Sequence, residues 1–147
     1  MRFVRMAQQM SKSSELHWQL LYTKSRAEAW VEINLRKQGY ATLLPRVKQR
    51  TGFGPLFPRY IFAGFQPGWS PRPMRSTLGV LYVVHCGEHP ARVPPAVIEE
   101  ISRRMDPHGV VRLDELPTPD PLFAKQQRER TRALMRLAQA GFRVRVA

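Results

Sequence analysis

The chain has 147 residues, enough for one domain with its own core and a tail. Lys and Arg number 24 against 11 Asp and Glu, a net charge of +13 with a sequence pI near 11.2, which favours DNA or RNA as partner over an anionic membrane. A single cysteine, Cys86, excludes an internal disulfide, and no apolar run approaches the ~18 residues of a membrane span, so a cytoplasmic protein without membrane contact is expected.

Residues 1–15 are polar and weakly patterned and read as a loose extension. Residues 17–24 (HWQLLYTK) read as a strand, with Trp18, Leu20 and Tyr22 on one face and Gln19, Leu21 and Thr23 on the other. Ser25 and Glu28 have the spacing of a capping box, and the helix they open runs to about Gln38, where Gly39 ends it. Ala27, Val31 and Leu35 fall on its core stripe. Residues 40–47 form a second strand, and Pro45 within it predicts an edge position. Residues 48–54 (KQRTGFG) read as a basic hairpin tip.

The segment that follows, Pro55-Leu-Phe-Pro-Arg-Tyr-Ile-Phe-Ala-Gly-Phe65, is the most informative in the chain. Two prolines frame a turn, and a strand over 59–65 follows with no face that obviously wants water. Such a strand is covered on both sides by its own helices, or one side awaits a partner. A proline-rich loop comes next, then a short helix over 74–78, a strand over 80–85 (VLYVVH), and a helix from Pro95 to about Met105 carrying Val97, Ile98 and Ile101. The order β-α-β-β-α-β-α predicts an α+β fold, a small antiparallel sheet with helices packed on it, in a ferredoxin-like variant spanning 16–106. Residues 107–121 hold four prolines and read as a linker. Residues 122–147 form a helical tail, with Phe123, Leu134 and Leu137 roughly on one face, that Gly141 stops before a short alternating strand (FRVRV).

Trp18-Gln-Leu-Leu-Tyr-Thr-Lys24, Gly39, Leu44-Pro45, the Pro55–Phe62 segment, Leu78-Gly79-Val80 and Pro90-Ala-Arg-Val-Pro94, in this order, resemble the N-terminal domain of NusG-type transcription elongation factors over residues 18–105. The region around Tyr22 is most similar to the RfaH-like antiterminators. The resemblance implies a monomeric factor that rides on RNA polymerase and suppresses pausing or termination. Tyr22, Phe57, Tyr60 and Phe62 would line the patch that binds the β′ clamp coiled coil. Lys24, Asn34 and Lys37, with Arg75 and Thr77, would meet the non-template DNA strand. The polar run that RfaH sets against the β gate loop falls near residues 69–72, where only Ser70 is similar. Gly141 to Val146 resembles only the first strand of the family's KOW barrel, so the barrel is incomplete or absent in this sequence.

The residues themselves leave alternatives open. Aromatic side chains on strands are core by default, whereas exposed aromatic patches mark interfaces. Trp30 joins Asn34 and Lys37 at i, i+4 and i+7 of the first helix, a stripe that suits base stacking and phosphate contact, or a solvated flank with a half-buried indole. No catalytic constellation, metal-ligand spacing or cofactor-binding motif is present: His85 and Cys86 point to opposite faces of a strand, and Gly52-Phe53-Gly54 lacks the helix that a phosphate loop requires. A non-enzymatic polymerase factor is therefore expected. A free-standing RNA-binding α+β module, using sheet aromatics as stacking platforms, is the alternative.

Overall fold

The computed structural model describes residues 15–113 and 120–142. Strand β1 (His17–Thr23) leads into helix α1 (Glu28–Lys37), then strands β2 (Ala41–Leu43), β3 (Arg46–Gln49), β4 (Gly52–Pro55) and β5 (Tyr60–Phe65). The short helix α2 (Arg72–Arg75) precedes strands β6 (Val80–Val83), β7 (His85–Cys86), β8 (His89–Pro90) and β9 (Arg92–Val93). Helix α3 (Pro95–Arg103), strand β10 (Val110–Val111), a 3-10 turn (Pro121–Phe123) and helix α4 (Gln127–Gln139) complete the described chain.

The main sheet is antiparallel throughout. Strand β1 lies at its centre, β5 and then the edge strand β2 lie on one side, and β6 and β9 follow one another on the other. Period-two alternation divides the side chains between two cores. Leu21, Ile61, Ala63 and Val83 meet Val31 and Leu35 of α1 and Met74 of α2. Trp18, Leu20, Phe62 and Val93 share a larger cluster with Val97, Ile98 and Ile101 of α3 and with Leu122, Phe123, Leu134, Ala138 and Phe142 of the C-terminal segment. Both faces of β5 are thus covered by the chain itself, which explains a strand with no polar face. The strand expected over 40–47 is two: β2 ends at Leu43 on the edge of the main sheet, β3 starts at Arg46 in a second sheet, and Pro45 lies between them, its carbonyl accepting from Leu56 N–H at 2.8 Å.

Several local expectations give way to tertiary structure. Ser25 makes no capping box: α1 begins at Glu28, Ala27 is its N-cap without a side-chain cap, and the preceding turn holds Arg26 at a left-handed φ of 62°. The short helix covers 72–75 rather than 74–78. The hairpin tip is a real β3–β4 hairpin whose strands pair from Arg46↔Pro55 to Gln49↔Gly52. The first part of the expected linker is ordered. Asp106 Oδ1 accepts from the N–H groups of His108 (2.8 Å) and Val110 (3.0 Å), tightening a turn that lays β10 parallel to β3. The tail helix starts at Gln127, not at 122, because Asp120 caps a separate 3-10 turn through Leu122 N–H. Residues 1–14 of the expected extension, residues 114–119 of the linker and residues 143–146 of the expected closing strand lie outside the described residues, and Phe142, at the start of that expected strand, is a turn residue at φ 60°.

Gly79 lies between α2 and β6 and packs against α1. Its φ is 94°, its carbonyl accepts from Lys24 N–H at 2.8 Å, and a Cβ there would stand 2.6 Å from Val31 Cγ2. Gly87, at φ 66°, has nothing within 4 Å of such a Cβ. A left-handed conformation costs a non-glycine residue about 1–2 kcal/mol, and overpacking adds about 1–3 kcal/mol. Gly79→Ala is therefore expected to lose more stability in urea unfolding than Gly87→Ala, by at least about 1 kcal/mol. Equal losses would show that α1 does not press on this turn.

Candidate functional site

Register places three tyrosines side by side on one face of the main sheet. Tyr22 of β1 is opposite Tyr60 of β5 and opposite Tyr82 of β6. The Tyr22 ring stacks on Tyr82 at 4.8 Å and tilts against Tyr60 at 5.1 Å. The Arg59 guanidinium lies 4.4 Å from the Tyr22 ring centre, and its Nε donates to Thr23 O at 3.1 Å. Arg59 holds a left-handed φ of 73° at the start of β5, the bend that turns its side chain back over β1. Burial, then the neighbouring Tyr82 and Tyr22, push the Tyr60 phenol above its ordinary range, with Arg59 opposing. Tyr22 and Tyr60 are half-buried and Tyr82 is 51% exposed, so the row forms an aromatic rim that water reaches.

The other two aromatics expected at this patch are placed differently. Phe57 and Phe62 meet edge-on at 6.2 Å and are 1% and 0% exposed. They present no surface here because they sit within the cluster that α3 and the C-terminal segment share. That segment buries Leu122, Phe123, Leu134 and Phe142, and its polar anchor is Arg130. Arg130 is 4% exposed; its Nε donates to Leu56 O at 3.0 Å and one terminal amine donates to Ala124 O and Lys125 O. Burial lowers its pKa, since the guanidinium has three carbonyls to satisfy it and no carboxylate among them.

The expected nucleic-acid residues lie mainly on and beside α1. Lys24, Trp30, Lys37 and Arg75 are exposed, with Trp30 at 55%, and Asn34 is half-buried. Thr77 departs from the expectation. It is buried, accepts from Gln38 Nε2 and donates to Pro73 O, both at 2.8 Å, so it ties α1 to α2 and offers no free hydroxyl.

The sequence reading passed over Tyr82 and Arg130. Tyr82 has the right parity in VLYVVH, but only the β1–β6 register reveals its neighbour. Arg130 stands at i−4 and i−8 from Leu134 and Ala138, so a helical wheel centred on Leu134 would have put it on the inward stripe. On α1, Glu32 is a half-buried carboxylate whose pKa is raised, chiefly by desolvation. It pairs with Arg36 at 3.4 Å and accepts from Thr42 at 3.1 Å, which identifies it as a structural ion pair.

A protein-family model described as transcription termination factor nusG matches residues 16–102. The chain belongs to the NusG family. Its α+β body, with small antiparallel sheets, four helices and no closed barrel among the described residues, agrees with the N-terminal domain fold of that family. NusG-family proteins are transcription factors of the termination and elongation kind that act with RNA polymerase, and the family is not one of enzymes. The match stops inside α3, so β10, the 3-10 turn and α4 lie beyond it. No described helix is long and apolar enough to cross a membrane.

Arg130→Met keeps the aliphatic volume but removes all three hydrogen bonds. Hydrogen bonds to charged groups contribute about 1.5–3 kcal/mol, partly offset by the burial cost of the charge. The variant is expected to speed amide exchange in α4 by roughly tenfold or more, while β1 and β5 keep their protection. Unchanged exchange in α4 would show that apolar burial alone holds the segment down.

Proposed function

We propose that this NusG-family protein binds RNA polymerase at the β′ clamp coiled coil through the sheet face bearing Tyr22, Phe57, Tyr60 and Phe62. In this reading Tyr82 extends the contact, and the C-terminal segment must leave before Phe57 and Phe62 can take part. Lys24, Trp30, Asn34, Lys37 and Arg75 then contact the non-template strand, with Thr77 holding α1 and α2 in place behind them. Gripping clamp and DNA together favours the closed, pause-resistant polymerase by the difference in affinity for its two states. The observation that supports this most is a half-open tyrosine row continuous with an apolar cluster that α3 and the arginine-bearing C-terminal helix cover together. An exposed aromatic rim beside a covered apolar face is what a conditional protein interface requires. The rival reading, a free-standing RNA-binding module, would use the same tyrosines as stacking platforms.

The test compares the native chain with Leu134→Lys, which puts a charge at a fully buried position of α4 and lifts the segment. Leu134→Lys is expected to bind the isolated clamp coiled coil at least roughly tenfold more tightly than the native chain. Adding Tyr60→Ala should then weaken binding by about 2 kcal/mol, the scale of a central interface aromatic. Equal affinity with and without Leu134→Lys would refute the covering role. Tight RNA binding with no affinity for the coiled coil would favour the rival.

A further inference from the structure

Away from the tyrosine row and from α1, the small sheet β10-β3-β4 borders a groove of about 880 Å³. Arg46 and Lys48 of β3, Phe53 of β4, Arg112 after β10 and Lys125 of the C-terminal segment line it. Asp106, at its wall, accepts from the Val110 and His108 amides, and these hydrogen bonds, the Val110 one foremost, hold its pKa low with help from the nearby His108 and Arg112. Cations gathered in one concavity repel each other, and the folded chain tolerates them more easily when a polyanion screens them. Phe53 lies in the same groove and is 52% exposed, with the Arg46 guanidinium 5.5 Å from its ring centre. An apolar ring left in water at the tip of a basic hairpin contributes little to the core.

We infer that this groove is a second nucleic-acid site and takes a single strand, with an unpaired base stacked on Phe53 and phosphates on Arg46, Lys48, Arg112 and Lys125. Aromatic rings beside a cationic track are the means by which proteins hold unpaired strands, since every base has a face to stack and every nucleotide brings a phosphate. A duplex keeps its bases stacked inside and cannot use the ring. A free nucleotide has phosphate charge at one end only, whereas these cations come from β3, from the chain after β10 and from the C-terminal segment. The site shares no residue with the surface on α1 and does not depend on the clamp contact.

The full chain is titrated by fluorescence anisotropy with labelled oligodeoxythymidylate and oligouridylate of roughly 12 nucleotides, within the usual range of site sizes. Phe53→Ala, on an exposed hairpin position, is expected to weaken binding roughly tenfold. Lys48→Gln with Lys125→Gln should flatten the salt dependence by a log–log slope of roughly 0.7 for each phosphate that is no longer neutralised. Lys24→Gln with Lys37→Gln is run in parallel; two separate sites predict that its effect adds to that of Phe53→Ala. The preference between the two oligomers identifies DNA or RNA as the strand. Full affinity in Phe53→Ala overturns the site, whatever the α1 variant does. Displacement of the oligomer by an equal concentration of mononucleotide overturns the strand as occupant.

Discussion

One face of the main sheet cannot be left in water. Leu20, Phe57 and Phe62 are fully buried there, and leaving a side chain of this size exposed costs about 1.5–3 kcal/mol. The opposite face is closed within the family-matched body by α1 and α2. This one depends in part on residues beyond the match, the 3-10 turn and α4. The cover is not purely apolar, because Arg130 crosses the seam and binds Leu56 O, a carbonyl of the turn that opens β5. A buried guanidinium whose partners among the described residues are carbonyls fixes the register of the helix, and its desolvation cost lowers the stability of the docked arrangement. The covered face and the tyrosine row at its rim are therefore one structural unit, part sealed and part open.

Cations flank this unit on two sides, and the outer face of its cover carries Arg128, Arg132 and Arg136. Lys24, Lys37 and Arg75 are exposed on and beside α1, as is Trp30. Arg46, Lys48, Arg112 and Lys125 gather beside β3 and β4. The tyrosine row carries one cation, Arg59, engaged with Tyr22. A protein partner for the sheet and nucleic acid for the flanks is a division that the electrostatics support.

Much of this was readable from the sequence. Alternation in HWQLLYT gave β1 and its two faces, and Gly39 marked the end of α1, because these signals are local and backbone-driven; Pro45 predicted an edge strand over 40–47, and the structure ends that edge strand at Leu43 and starts β3 after the proline. The capping box at Ser25 failed because the chain needs a left-handed Arg26 to reach α1 from β1, a tertiary demand stronger than a cap. Residues 106–111 looked like linker because two-residue strands carry no periodicity; what orders them is one aspartate turn and a parallel pairing with β3. The tyrosine row combined residues from three strands far apart in sequence, so Tyr82 was invisible until register was known. The burial of Phe57 and Phe62 depended on a distant segment. The stripe expected on α4, Phe123, Leu134 and Leu137, only partly matches its buried residues, Arg130, Leu134 and Ala138.

The claim that cover and partner compete for one face is most directly tested by hydrogen–deuterium exchange on the full chain, alone and saturated with the isolated β′ clamp coiled coil. Competition predicts that the amides of α4 and of residues 121–123 lose protection when the coiled coil binds, while β1 and β5 keep or gain it. Binding of the coiled coil with α4 still fully protected would contradict it.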